Sequence, residues 1–268
     1  MGHKRYGYLP KSKIWREIVR EMGAYALGQQ DVLTIAKNTL SNVQKQYSNF
    51  ENDPSIKTTF EFLLHIAQAF KQQDPVRYLR ENNIVEGEGV SVFKITRAAI
   101  NYKTEEVASH EYQAFAKQAA ASALSSWYKS HLEEGRGFFH EGVDSTAVFR
   151  KASEAGGFCE LTRLYFSNVT ERYLRYFLDR EAAIAIPNVE QRSRFSNEIE
   201  KHMEDVSRHA FETSKIAQSF AAGWFAKNTP ESYPDEREIK YFLNRTFGKL
   251  KSELLREEEK WIYFPTLK

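Results

Sequence analysis

An all-α, multi-helix bundle is the fold class the sequence predicts, and three observations predict it. Apolar residues recur at steps of three and four along nearly the whole chain, the spacing that gathers them on one face of a helix. Gly (13) and Pro (7) are scarce for 268 residues, which disfavours the turn-rich sandwiches and barrels of all-β proteins. Apolar residues make up 41% and charged residues 28%, a balance that supports a packed core and excludes extended disorder. A chain this long buries about 70–75% of its unfolded surface and needs no staple.

The elements follow in order. After Pro10, the residues Ile14, Ile18 and Met22, flanked by Trp15 and Val19, mark a first short helix. Asp31 reads as the N-cap of a second, whose stripe is Val32, Ala36, Leu40, Val43 and Tyr47. Asp53-Pro54 places a cap and then a proline at the first turn, the favoured order for a helix start. The face behind it is Ile56, Phe60, Leu63, Leu64, Ala67 and Phe70. Asp74-Pro75 repeats the signal for a short helix through Leu79.

From 82 to 93 the pattern lapses into a short irregular region, with Gly87-Glu88-Gly89 as a loop. Across 90–100 two readings stay open: Val90, Val92 and Lys94 alternate as in a strand, while Phe93, Arg97 and Ile100 share a helix face. Thr104-Glu105-Glu106 is expected to open an Ala-rich helix running to about His131. The glycine-rich stretch from Glu134 to Gly142 reads as the boundary between an N-terminal helical domain, 1–133, with a basic aromatic arm at 1–13, and a C-terminal one, 134–268. A short helix from Asp144 to Ala155 is expected to stop at Gly156-Gly157. Phe158 to Ile184 is apolar nearly all round, the mark of a central helix, and Pro187 ends it. No proline interrupts 189–227, which predicts one helix of about forty residues, roughly 55–60 Å long. Asp235 with Glu238 forms a capping box for the last helix, with Ile239, Leu243, Phe247, Leu250 and Leu254 facing inward.

Cys159 is the single cysteine, so neither an intrachain disulfide nor a cysteine-based zinc site can form within one chain. That favours a reducing compartment. The start carries Lys4 and Arg5 without an apolar run behind them, unlike a secretory signal, and Tyr6 stands where a myristoylation motif wants Ser or Thr. The greasiest stretch, Ile216 to Ala226, is about half a membrane span. The expectation is a cytoplasmic chain with no membrane contact.

Helical chains invite specific chemical tests. A di-iron bundle needs Glu three residues before an inward His, and no histidine here has one. Gly248-Lys249 is followed by Leu250 and lacks the first glycine of a phosphate loop. Gly87-Glu88-Gly89 has Val92 where a dinucleotide fingerprint needs its third glycine. Pro234-Asp235 followed by Glu238-Ile239-Lys240 resembles the PD-(D/E)xK nuclease string, yet both acids fall within one helical turn and serve the capping box. His140-Glu141, with Asp144 nearby, lacks the second histidine of a zincin helix. His202 and His209, with Glu198, Asp205 and Glu212 at helical spacing, read as ion pairs on a solvated face, against a metal clip shared with another chain. Cys159, beside Phe158 and Leu161, reads as a structural thiol. No catalytic residue, metal ligand or cofactor is assigned, and the expectation leans away from an enzyme.

Two features rise above this background. The first twenty residues hold Lys4, Arg5, Lys11, Lys13, Arg16 and Arg20 against Glu17 alone, interleaved with Tyr6, Tyr8 and Trp15. Basic charge for phosphates beside aromatic faces for bases is what single-stranded nucleic-acid binders combine. The other reading is an arm that packs its rings on its own chain or a partner. Second, Ile199, Met203, Val206, Ala210, Thr213, Ala217, Phe220 and Trp224 follow alternating steps of four and three, a coiled-coil-type seam longer than the last helix can cover. The surplus is expected to face another protein or a second copy. The sequence therefore points to a non-catalytic accessory or scaffold subunit of a larger complex, with a nucleic-acid-binding helical module using the arm as the alternative.

Overall fold

The protein is all-α. A computed structural model describes residues 13–43, 50–134, 144–213, 215–229 and 232–263. Among the described residues there are 11 α-helices and no strand. They are α1 (Lys13–Ala26), α2 (Val32–Val43), α3 (Pro54–Ala69), α4 (Pro75–Glu81), α5 (Val92–Asn101), α6 (His110–Glu134), α7 (Ser145–Arg150), α8 (Ala155–Ala185), α9 (Val189–Thr213), α10 (Lys215–Asn228) and α11 (Glu236–Tyr263).

Short polar side chains set most of the starts. The Asp31 carboxylate accepts from the Thr34 amide at 2.9 Å, and Asp53 from those of Ser55 and Ile56. Asp74 accepts from Arg77 N–H, and Asn188 from Gln191 N–H. At α11 the capping box is complete: Glu238 N–H donates to Asp235 at 2.8 Å, and Asp235 N–H donates to the Glu238 carboxylate at 3.0 Å. Residues 92–101 are helical, because the Ser91 hydroxyl caps them by accepting from Lys94 N–H.

The chain forms two compact units, one from Met1–Phe50, Thr170–Ser214 and Phe247–Lys268, the other from Glu51–Val169 and Lys215–Thr246. Each draws segments from both sequence halves. The stretch read as the boundary between 1–133 and 134–268 falls mainly at 135–143, outside the described residues.

In the first unit, Trp15, Ile18 and Met22 of α1 and Val32, Ile35 and Ala36 of α2 are buried, together with Tyr173 and Phe177 of α8 and Phe195 and Ile199 of α9. Trp15 meets Phe177 edge-on with ring centroids 6.0 Å apart, and Phe50 meets Tyr173 likewise at 4.6 Å. In the second unit, Phe60 of α3 stacks on Phe242 of α11 at 4.8 Å, and Phe158 of α8 on Phe225 of α10 at 4.1 Å. The buried Tyr165 hydroxyl lies 2.6 Å from Thr59 Oγ1 and donates to the Ile56 carbonyl, so its polar end is satisfied inside the core.

The structure departs from several expectations. One helix of about forty residues is not shown: α9 has 25 residues and α10 has 14, Ser214 between them lies outside the described residues, and the longest helix among the described residues is α8 with 31. The Ala-rich helix begins at His110, where the Ser109 hydroxyl accepts from Tyr112 N–H, six residues after the expected start at Thr104. The short helix after Asp144 ends at Arg150, passes through a 3-10 turn over Lys151–Ser153, and gives way to α8.

Gly156 and Gly157 lie inside the first turns of α8 and do not stop a helix. A Cβ on Gly157 would fall 2.0 Å from the Lys151 carbonyl oxygen, so glycine is there for close approach of the preceding turn. Finally, α8 is not buried all round at any one level. Its buried pairs, from Leu161-Thr162 to Glu181-Ala182, repeat every four residues. Four residues overshoot a turn, so the buried stripe winds about 200° around the axis over its length.

Candidate functional site

One flank of α3 is polar. Lys57, Glu61, His65 and Gln68 follow steps of 4, 4 and 3 and share that flank, while Phe60, Leu63, Leu64 and Ala67 enter the core. Lys57 bridges Glu61 at 3.9 Å and bonds tightly to Glu236. Here a cavity of about 430 Å³ opens, lined by Lys57, Glu61, Tyr102, Lys103, Glu105 and Glu236 among others. Burial raises the Glu61 carboxyl, Lys57 pulls it back, and Glu236 and Glu105 push it up again. The bond from Lys57 holds the Glu236 carboxyl down, and the Lys57 ammonium is raised in return.

Deeper along the same flank, His65 stacks on Tyr233 with centroids 4.3 Å apart and planes 16° from parallel. Its Nδ1 lies 3.1 Å from the Tyr78 hydroxyl. Burial lowers the imidazole to about 4 and raises the phenols of Tyr78, Tyr102 and Tyr233. Near neutral pH the ring is uncharged and the phenols are protonated, far from the matched pKa values that proton transfer at pH 7 asks for. Among the described residues no group of three or more His, Cys, Asp or Glu side chains is arranged to hold a metal ion.

The flank holds Thr229, Ser232 and Tyr233, which lie between α10 and α11. Gln68 donates to the carbonyls of Thr229 and Ser232, and Lys71 donates to the Thr229 carbonyl at 2.6 Å. The Tyr233 hydroxyl donates to the Glu61 carbonyl. The repeat Lys57, Glu61, His65, Gln68 is visible in the sequence as a polar stripe opposite a greasy one. What it packs against is not.

Of the residues expected to contact nucleic acid, Lys4, Arg5, Tyr6, Tyr8 and Lys11 lie outside the described residues. Lys13, Arg16 and Arg20 are exposed on α1, whereas Trp15 is only 3% exposed against Phe177, an internal packing residue and no open stacking face. Of the seam, Ile199 and Trp224 are buried and Phe220 is half-buried, its ring stacked on Phe242. The side chains of Met203, Val206, Ala210, Thr213 and Ala217 lie outside the described residues, as do His140, Glu141 and the His209 side chain. The Glu198 carboxylate accepts a hydrogen bond from the Tyr25 hydroxyl of α1. Cys159 is half-buried, and burial raises its thiol, which suits a structural role.

An apolar corner of the first unit escaped the sequence reading. There α1 ends as Gly28 takes a left-handed φ of 72°, with Gly28 N–H bonding to Tyr25 and Gln29 N–H to the Ala24 carbonyl. Gln191 of α9 donates to the Ala26 carbonyl, Arg192 donates to that of Ala183, and a Cβ on Gly23 would lie 4.0 Å from Ala185. Around these ties Leu27, Ile184 and Val189 stand 73%, 71% and 64% exposed. The glycine after Leu27 is the signal that marks a helix end there and turns the leucine outward.

No protein-family model, curated protein or solved structure matches the chain.

Proposed function

We propose that the chain is a non-catalytic helical interaction subunit, and that it docks another protein through the apolar corner where α1, α8 and α9 meet. The carrying observation is the exposure of Leu27, Ile184 and Val189, three aliphatic side chains within two residues of the backbone ties that join α1, α8 and α9. Grouped exposed apolar side chains mark protein contacts far more often than scattered ones do. Burying each would contribute roughly 1.5–3 kcal/mol to an interface. The titratable cluster on α3 supports the same reading, because Glu236 is bonded to Lys57, His65 lies against Tyr78 and Tyr233, and the Tyr233 hydroxyl donates to the Glu61 carbonyl.

The test is stoichiometric purification of the tagged chain from its native host beside the variant Leu27→Ser, Ile184→Ser, Val189→Ser. The parent is expected to bring one protein at fixed stoichiometry, and the variant to lose it with unchanged helix content. A parent that sediments as a lone monomer at all concentrations, or a variant that keeps the full complex, would sink the reading.

A further inference from the structure

The second unit carries a groove of about 450 Å³ between α10 and α11, whose walls combine aromatic rings with cations. Phe220 and Trp224 form one wall, and Tyr241 of α11 stands across it, 57% exposed, its ring edge-on to Phe220 at 6.1 Å. Lys227 and Arg237 lie in the lining. Along α11, Arg237, Tyr241 and Arg245 follow at steps of four, an exposed stripe about 12 Å long.

Folding accounts poorly for this set. Arg237 sits in the first turn of α11, where the helix dipole favours anions and opposes a cation. Lys227, Arg237 and Arg245 make no ion pair or hydrogen bond among the described residues. Of the acids nearby, Glu236 bonds to Lys57, while Glu238 accepts from Asp235 N–H and lines the groove with its charge kept. What remains is a cleft lined by two cations, Lys227 and Arg237, against the one carboxylate of Glu238, with the exposed Tyr241 ring between Arg237 and Arg245 along α11.

We propose that this groove binds single-stranded nucleic acid, with a base stacked on Tyr241 and the adjoining phosphates on Arg237, Arg245 and Lys227. The charge calls for an anion. The exposed ring selects a planar group attached to it, since an aromatic face stacks on any unpaired base, whereas duplexes hide their base faces and acidic peptides lack them. The groove is large enough for one nucleotide, within the usual range of small-ligand sites.

Fluorescence anisotropy with the full chain and a labelled oligothymidylate tests it. The parent should bind, and Tyr241→Ala should weaken binding at least 5-fold, the low end of base–aromatic stacking. Tyr241→Phe should bind as the parent does. Lys227→Ala with Arg237→Ala should flatten the slope of log affinity against log salt by about 1.4, two phosphate contacts on a single strand. All three positions are outside the core, so helix content serves as the folding control. No binding by the parent at about 50 mM salt would overturn the proposal. So would unchanged affinity in Tyr241→Ala, or equal affinity for duplex or for an oligoglutamate peptide.

Discussion

His65 shows how one buried side chain ties stability to pH. Its imidazole lies between Tyr233 and Tyr78 and is lowered by burial to about 4, while the unfolded chain titrates near the ordinary 6.5. Between those values the unfolded state binds the extra proton. Stability therefore falls as pH drops through 6.5 toward 4, and the loss is complete below that. The shift corresponds to about 3 kcal/mol. Urea midpoints at pH 7 and pH 5 should show a gap for the parent that shrinks in His65→Phe, which keeps the stack and removes the titration. An equal gap in both proteins would show that other groups set it. None of this was legible in the sequence, where His65 is only a polar residue on a helix. Its partners Tyr78 and Tyr233 lie 13 and 168 positions away, and local pattern carries no signal of that pairing.

Helix starts were the most legible elements, because a cap is a local device. Asp31, Asp53, Asp74 and Asp235 all bond to amides of the turns they were expected to open. Helix continuity was less legible. Gly156-Gly157 reads as a stop until the nearness of the Lys151 carbonyl gives the second glycine another purpose. The winding stripe of α8 reads as apolar all round because successive levels bury different sides. The caps themselves differ in weight. Asp53 is 4% exposed and satisfies two buried amides, whereas Asp235 is exposed. Asp53→Ala should cost about 2 kcal/mol or more, since it leaves buried donors without acceptors, and Asp235→Ala about 1 kcal/mol. Asp53→Asn keeps an acceptor in place and should stay within about half a kcal/mol of the parent. Chemical denaturation of the three variants measures this directly, and equal losses for the two alanine variants would show that burial does not weight the caps.

For the whole molecule, the order of residues along the chain and the grouping of residues into cores are different things. The glycine-rich stretch after Glu134 looks like a boundary, yet the first unit's core joins Trp15, Ile18 and Ile35 to Phe177, Phe195 and Ile199. The second joins Phe60 and Leu63 to Phe158, Phe225 and Phe242. Periodicity shows that each of these residues faces inward but not which others it meets, so composition and breakers alone suggest a cut between halves. A fragment of residues 1–133 lacks the partners of α1, α2 and α3. It exposes Phe60 where Phe242 should stack and Trp15 where Phe177 should meet it. Each large apolar side chain left in water forgoes roughly 1.5–3 kcal/mol, and a domain's entire margin is about 5–15 kcal/mol. Expressed alone, 1–133 and 134–268 should therefore each lack a cooperative thermal transition, and mixing them should restore helix signal and cooperativity together. A fragment 1–133 that melts cooperatively by itself would show that the N-terminal half carries a complete core of its own.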